Sequence, residues 1–382
     1  MKTADKAYAN LRYAEAIAWY EAVLQAEPGN MLARQNLADA YRKIRDNYHA
    51  EPLYAQLATA GNADPKNLLY YAQTLATNGK YSEARKTYQQ YANAVPEDTR
   101  GKNFADAYLN LSSFYADSSA FKIYYINLNS AQSDFSPMYY DKGLVFVSGR
   151  KQVLASPESF GWNQTSFLNM YYVPDTNSIK NLYQLEKTPF YNPLNSETRK
   201  STVNNSVQAT ANDSPTLGAY HTTSTKDTGF TTMNLPFIKP FSGTLNSRYH
   251  EGPMSFFNQG RNMIFTRNNF LKGKYKKSAE GINKLKMYLA AKKNESWTDI
   301  NEFPFNNDQH SVGHPAFSAD SKKMYFISDM PGGKGGTDLY VCDYENGNFS
   351  PPQNLSNLNT EGNEMFPFID EKNNLYFASD GW

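Results

Sequence analysis

The apolar positions of this chain follow two rhythms. Up to about residue 115 they recur three or four residues apart, as on helices. From Phe121 onward they alternate, as on half-buried strands. In the first stretch Leu37, Ala38 and Tyr41 form the inward face of one predicted helix, and Ala50, Tyr54 and Leu57 that of the next. Tyr71, Ala72 and Leu75, then Ala84, Tyr88 and Tyr91, repeat the arrangement. Pro28-Gly29 ends one helix, Pro65 opens another, and the last stops near Pro96. Pro52 is placed in the first turn of its helix, where proline is tolerated. A further amphipathic helix is predicted from Lys102 to Tyr115.

The helical pattern has a fixed step. Ala16, Ala50 and Ala84 are 34 residues apart, and so are Tyr20, Tyr54 and Tyr88. That is the length of the tetratricopeptide unit, two helices that bury their apolar face only by stacking on the next pair. Three repeats are expected over residues 1–98, followed by a capping helix and linker over 99–117. Counting back, Met1 falls at the fifth position of a repeat, so the first is expected to be truncated. The first helix of each pair lines the concave side of such a stack. Asp5, Tyr8, Gln35, Asp39, Arg42, Lys43 and Gln73 fall on that side and form a candidate protein-binding groove. The alternative is plain solvated surface.

Residues 118–382 read as β structure. Phe121–Leu128 is a predicted strand. A phrase then recurs: a Pro-centred turn, a short strand, a polar turn, and an aromatic strand ending in Ser or Thr. Its copies centre on Pro137, Pro253, Pro315 and Pro367, in steps of 116, 62 and 52 residues. They lead to Gly143–Ser148, Asn262–Thr266, Met324–Asp329 and Leu375–Asp380. Outer strands are predicted at Lys286–Ala290 and Asp338–Cys342. Short strands repeated at this length read as the blades of a β-propeller. The long first step holds a Ser/Thr/Asn-rich stretch, 188–232, read as an insertion in the first blade. The last blade stops at Trp382 without its outer strands, so the natural polypeptide is expected to continue.

His314-Pro315-Ala316-Phe317-Ser318-Ala319-Asp320-Ser321, followed by Met324-Tyr325-Phe326-Ile327-Ser328, resembles the TolB-like, WD40-like propeller repeat, with Ser321 in place of the usual Gly. The segments Met330–Tyr340, Asn359–Phe368 and Asn246–Pro253 sharpen the likeness. With the N-terminal repeats, the chain resembles peptidoglycan-associated outer-membrane lipoproteins tied to type IX secretion and gliding motility. That family joins tetratricopeptide repeats, a propeller, a small carboxypeptidase-regulatory-like β domain and an OmpA-like domain. Neither of its last two modules nor its lipobox cysteine is in this sequence, and the likeness weakens over 188–232. The resemblance implies a place in the periplasm, at the inner face of the outer membrane. It also implies partners among outer-membrane barrels or secretion subunits, and contact with peptidoglycan through the OmpA-like domain alone.

Composition narrows the chemistry. Charge is balanced, 38 Lys+Arg against 37 Asp+Glu, which argues against a dedicated nucleic-acid binder. One cysteine, Cys342, excludes an internal disulfide. No stretch of 18 apolar residues is present to span a membrane. The glycines at 332–336 lack the Gly-Lys-Ser/Thr ending and following helix of a phosphate loop, so a strand turn is expected, with Asp338 bonding its amides. The five histidines form no His-Glu-x-x-His motif, and there is no nucleophile elbow. His250, His310 and His314 are read as hydrogen-bonding ties between neighbouring blades, with an acid–base group as the alternative. Eight lysines between Lys272 and Lys293 read as a solvated loop, or else as a patch for anionic lipid or an acidic partner.

The sequence therefore predicts a multidomain α + β chain, an N-terminal α-solenoid followed by a partial propeller. Its expected role is a non-enzymatic periplasmic scaffold with no cofactor and no metal. The alternatives are a propeller-based hydrolase and a soluble TolB-like adaptor without cell-wall contact.

Overall fold

The computed structural model describes residues 1–61, 63–117, 119–120, 122–130, 132–150, 160–184 and 236–381. The expected insertion, 188–232, lies outside them. The chain is mixed α + β and divides into two compact units. Among the described residues the first unit holds 1–126, 160–165 and 181–184, and the second holds the remainder.

Among the described residues seven α-helices build the first unit: α1 (Lys2–Ala9), α2 (Tyr13–Ala26), α3 (Met31–Lys43), α4 (Asn47–Ala58), α5 (Lys66–Thr77), α6 (Tyr81–Ala94) and α7 (Thr99–Ala107). Each packs on the next in sequence. The 34-residue step governs their core. Ala16, Ala50 and Ala84 are fully buried, and Tyr20, Tyr54 and Tyr88 are at most 2% exposed. The small alanines bring helices close, and the tyrosine rings fill the space between them. The step also governs the turns. Leu11, Arg45 and Gly79, again 34 apart, take φ of 58°, 65° and 78° between the two helices of each pair. Asn30 and Asp46 cap α3 and α4 through the amides of Ala33 and His49.

Three local expectations need correction. Pro52 sits in the second turn of α4, beyond the tolerated first turn, yet the helix runs through it. Burial of Tyr54 and Leu57 just past it outweighs one missing amide bond. The last helix starts at Thr99, before Lys102, because Asp98 accepts the Arg100 amide at 3.1 Å and so caps it. It then tightens into a 3-10 helix over Tyr108–Tyr115, with Asn110 out of helical geometry. The strand predicted at Phe121–Leu128 is only β1 (Tyr124–Ile126); Phe121 lies outside the described residues.

Antiparallel sheets build the second unit. The first contains β2 (Asp134–Tyr140), β3 (Gly143–Ser148) and β4 (Asn169–Val173). Strand β5 (Asn181–Gln184) pairs with β1 in the first unit, and β6 (Lys239–Pro240) adds to β4. The second sheet contains β7 (Glu251–Phe257) and β8 (Asn262–Asn268). After a small hairpin, β9 (Phe270–Leu271) and β10 (Lys274–Tyr275), it continues with β11 (Leu285–Lys293) and β12 (Ser296–Glu302). The third contains β13 (Val312–Phe317), β14 (Lys323–Ser328) and β15 (Asp338–Glu345), to which β16 (Asn348–Phe349) and β17 (Gln353–Asn354) both pair. Strands β18 (Glu364–Ile369) and β19 (Leu375–Ser379) form the fourth.

Alternation of side chains along the second sheet feeds two cores. Phe265 and Tyr288 enter one with Val145, Met170 and Met254. Their sequence neighbours Ile264 and Met287 enter the other with Phe303, Phe326 and Tyr340.

The recurring prolines are not in turns. Pro137, Pro253, Pro315 and Pro367 lie inside β2, β7, β13 and β18. The pairing register slips at each of them. Proline has no amide for the ladder, so it is seated at a bulge. The residues before three of them, Ser136, His314 and Phe366, take φ of 51° to 53°.

A second device recurs beside the bulge, where an acid near the start of the first strand takes a donor from the end of the second. Ser148 donates to Asp134 at 2.6 Å, Arg267 to Glu251 at 3.0 Å, and Ser379 to Glu364 at 2.7 Å. In the third sheet a serine pair replaces the acid, Ser328 Oγ donating to the Ser311 carbonyl at 2.7 Å.

Asp338 accepts from the amides of Lys334 and Gly335, so the glycine cluster is a turn leading into β15. Five of the eight lysines between 272 and 293 face carboxylates: Lys276 and Lys286 on Asp308, Lys284 on Asp329, Lys292 on Glu295 and Lys293 on Asp299. Lys286 is 1% exposed, so the run is not simply a solvated loop. Strand β11 alternates, and position 286 faces inward.

Candidate functional site

Asp5 and Tyr8 lie on α1, Gln35, Asp39, Arg42 and Lys43 on α3, and Gln73 on α5. Lys43 is exposed and the rest are half-buried. Asp5, Asp39 and Gln73 hold one repeat position, 34 residues apart.

Two of these three act as pins. Tyr54 donates to Asp39 Oδ1 at 2.6 Å, and Tyr20 to Asp5 Oδ1 at 2.8 Å. Each bond joins the first helix of a pair to its second. Asn36 donates to the Tyr20 hydroxyl at 2.9 Å, which binds α3 to the same pin. Around Asp39 the cluster is dense. Gln35 donates to Oδ2 at 3.1 Å, and Arg42 lies 3.8 Å away. Arg42 also donates to the Tyr54 hydroxyl at 3.0 Å and lies 3.7 Å from the centre of the Tyr70 ring. At that distance the cation is attracted by the electron-rich face of the ring. Burial works to lower the Arg42 guanidinium, but Tyr54, Tyr70 and Asp39 hold it above its usual value. Burial drives the Tyr8 and Tyr54 hydroxyls well above the tyrosine range, and the Asp39 charge pushes both the same way. They stay protonated and act as donors.

The structure thus unites Tyr8, Gln35, Asp39 and Arg42 on one face with Tyr54 and Tyr70. Asp5 is drawn into the Tyr20 pin. Gln73 keeps the repeat position without its acid.

Sequence reasoning missed three aromatic neighbours: Tyr13, Tyr70 and Trp162. The Tyr13 ring meets Tyr8 edge-on at 5.2 Å, and Tyr8 meets Tyr20 at 6.2 Å. Trp162 meets Tyr13 edge-on at 4.7 Å and donates its indole N–H to the Lys43 carbonyl at 2.9 Å. Tyr70 was legible as the 34-residue successor of Asn36. Nothing in the local sequence ties Trp162 to helices more than a hundred residues earlier.

Of the three β-unit histidines read as ties, His250 and His314 accept backbone amides. His250 Nδ1 accepts from Leu168 at 3.0 Å. His314 Nδ1 accepts from Phe366 at 3.3 Å, and its ring stacks on Phe366 at 4.2 Å. Each bond links one sheet to a neighbouring segment. Burial drives both imidazoles down to about 4, so they are neutral. Burial pushes the Cys342 thiol up to about 12. Among the described residues no group of three or more His, Cys, Asp or Glu is placed to hold a metal ion, and no helix is long and apolar enough to cross a membrane.

No family model matches the chain, and no curated protein does. One solved structure similar to it is a puromycin-hydrolyzing peptidase of Mycobacterium tuberculosis, at 10% identity and a TM-score of 0.32. The match covers 65% of this chain and 28% of that one, so this chain spans little more than a quarter of that protein's length. A likeness at this level carries no argument about fold or function.

Proposed function

We propose that this chain is a non-enzymatic periplasmic scaffold, a tetratricopeptide solenoid joined to a TolB-like propeller. It docks an outer-membrane barrel or a type IX secretion subunit, and a cell-wall-binding domain of the same protein links it to peptidoglycan. The observation that carries this reading is the face on which Tyr8, Arg42 and Tyr70 converge from three helices, held by the Asp–Tyr pins. A rigid aromatic and basic face suits recognition, because little entropy is lost when a partner lands on it.

Supporting the propeller are the four sheets, each opening on a bulged X-Pro strand. Against an acid–base role for His250 and His314 stands the occupation of each Nδ1 by a backbone amide.

The test is affinity capture of the native protein from gently solubilised envelopes, read by mass spectrometry. Outer-membrane barrels or secretion subunits are expected, and a Gln35→Glu/Lys43→Glu double variant should lose them. Recovery of neither class, even after crosslinking, overturns the scaffold and brings the hydrolase or the soluble adaptor forward.

A further inference from the structure

Helix α2 has a defect at its start. In α4 the cap is Asp46, whose carboxylate accepts the His49 amide at 3.1 Å. The residue 34 earlier is Arg12, the N-cap of α2, which makes no side-chain cap bond. Arginine has only donors and cannot serve there. The Ala14 amide in the first turn of α2 is satisfied by the Trp162 carbonyl, at 3.2 Å. The same residue serves a second helix end, because its indole N–H goes to the carbonyl of Lys43, the last residue of α3. Helix ends leave such groups open for outside partners.

The rings extend the contact. Phe160 stacks parallel to Trp162 at 6.2 Å, Trp162 stands edge-on to Tyr13, and Tyr13 to Tyr8. The row therefore runs from Phe160–Thr165 into the candidate groove itself. Trp162 is only half-buried, unlike the fully buried Tyr20. A shallow contact made by one ring and two backbone bonds is displaceable.

We propose that Tyr13, Ala14 and Lys43 form a socket for an aromatic residue carried on a tight turn, as Phe160–Thr165 is closed on itself by the Phe160 and Gln164 amides. Phe160–Thr165 is its internal ligand, and a partner peptide presenting tryptophan takes the same place. Recognition uses one ring face, one amide and one carbonyl, so it demands an indole and an accessible backbone but no charge. The inference rests on the scaffold reading for the partner, though not for the socket. A tethered ligand competes at an effective concentration of roughly millimolar. The internal segment therefore sets a threshold that a partner must exceed.

The probe is a fluorescein-labelled peptide of residues 159–166, titrated into the full chain and followed by anisotropy. Trp162→Ala empties the socket and should bind the peptide about tenfold tighter than the wild type, as release of a mostly closed competitor requires. The same peptide with alanine in place of tryptophan should bind neither protein. Hydrogen exchange at the Ala14 amide should speed up in Trp162→Ala and slow again when peptide is added. Trp162→Phe, which keeps a ring but loses the N–H, should fall between wild type and Trp162→Ala, and stands in for it should Trp162→Ala not fold. Equal binding to wild type and variant, no binding to either, or equal binding of the two peptides overturns the proposal. No envelope partner is used, so this result and the capture experiment can fail separately.

Discussion

Tyr54 donates its hydroxyl to Asp39 Oδ1 at 2.6 Å, fifteen residues back along the chain. Tyr20 repeats the bond to Asp5 at the same separation. The repeat thus carries a polar pin as well as an apolar face. Asp39 takes two hydrogen bonds and faces Arg42, so Asp39→Ala leaves Tyr54 and Gln35 without their acceptor and Arg42 without its facing charge. It should destabilise the chain by about 2–3 kcal/mol. Asp5→Ala loses one pin and should cost about 1 kcal/mol. Urea unfolding followed by far-UV circular dichroism checks the order. Equal effects at the two sites would show that the cluster around Asp39 adds nothing.

The left-handed turn residues give an asymmetric prediction. Leu11 and Arg45 hold φ of 58° and 65°, where a Cβ is strained, while Gly79 holds the equivalent place with open space around it. Gly79→Ala therefore meets only backbone strain and should cost about 1 kcal/mol. Arg45→Gly removes that strain but frees the unfolded chain, so it should fall within about 0.5 kcal/mol of wild type. Thermal melts of the two variants test this. A stable Gly79→Ala would deny the turn its left-handed requirement.

The 34-residue step made most of the helical unit legible, because it fixes the ring, the alanine and the turn together. Assigning Asp5 and Asp39 to an open groove was less accurate. Their spacing put them at one repeat position on the first helix of each pair, but the pattern does not say that a tyrosine hydroxyl fifteen residues on will occupy them. The prolines misled in another way. Pro137 or Pro315 beside polar residues reads as a turn, while in a strand it needs a bulge that only the paired neighbour reveals. Trp162 was invisible because its partners are distant in sequence, and its role follows from a cap that Arg12 cannot provide.

The glycine turn before β15 should be sensitive at one residue and tolerant three earlier. A Cβ on Gly335 would lie 2.3 Å from the carbonyl oxygens of both Gly362 and Thr360. Those are backbone atoms and cannot swing aside, so Gly335→Ala should cost about 2–3 kcal/mol as the segments part. Gly332 has φ of 91° and no neighbour within 4 Å, so Gly332→Ala should cost only about 1–2 kcal/mol of backbone strain. Melting temperatures of the two variants rank them. A Gly335→Ala protein as stable as Gly332→Ala would mean that the Thr360–Gly362 segment is not held against this turn.

Acid should weaken the β unit through two half-buried histidines. His250 and His314 titrate near 4 when folded, against an ordinary value of 6.5. As pH falls below 6.5 the unfolded chain takes up protons that the folded chain refuses, so stability drops between 6.5 and about 4. Each histidine contributes a slope of at most about 1.4 kcal/mol per pH unit in that window. Glu251 opposes them. Burial raises its carboxyl to about 7 despite Arg267, so between 4.5 and 7 the folded form holds the extra proton and stability falls as pH rises. Two histidines against one carboxyl leave a net loss on acidification. His314→Gln keeps an acceptor for the Phe366 amide but removes one titration, so its loss from pH ~6.5 to ~5 should be visibly smaller. Glu251→Gln removes the opposing group and should steepen the loss, whatever it does to stability at neutral pH. Denaturant titrations at several pH values read both slopes. An unchanged slope in His314→Gln would show that this imidazole is protonated in the folded chain, and that its stacking on Phe366 is not the contact of a neutral ring.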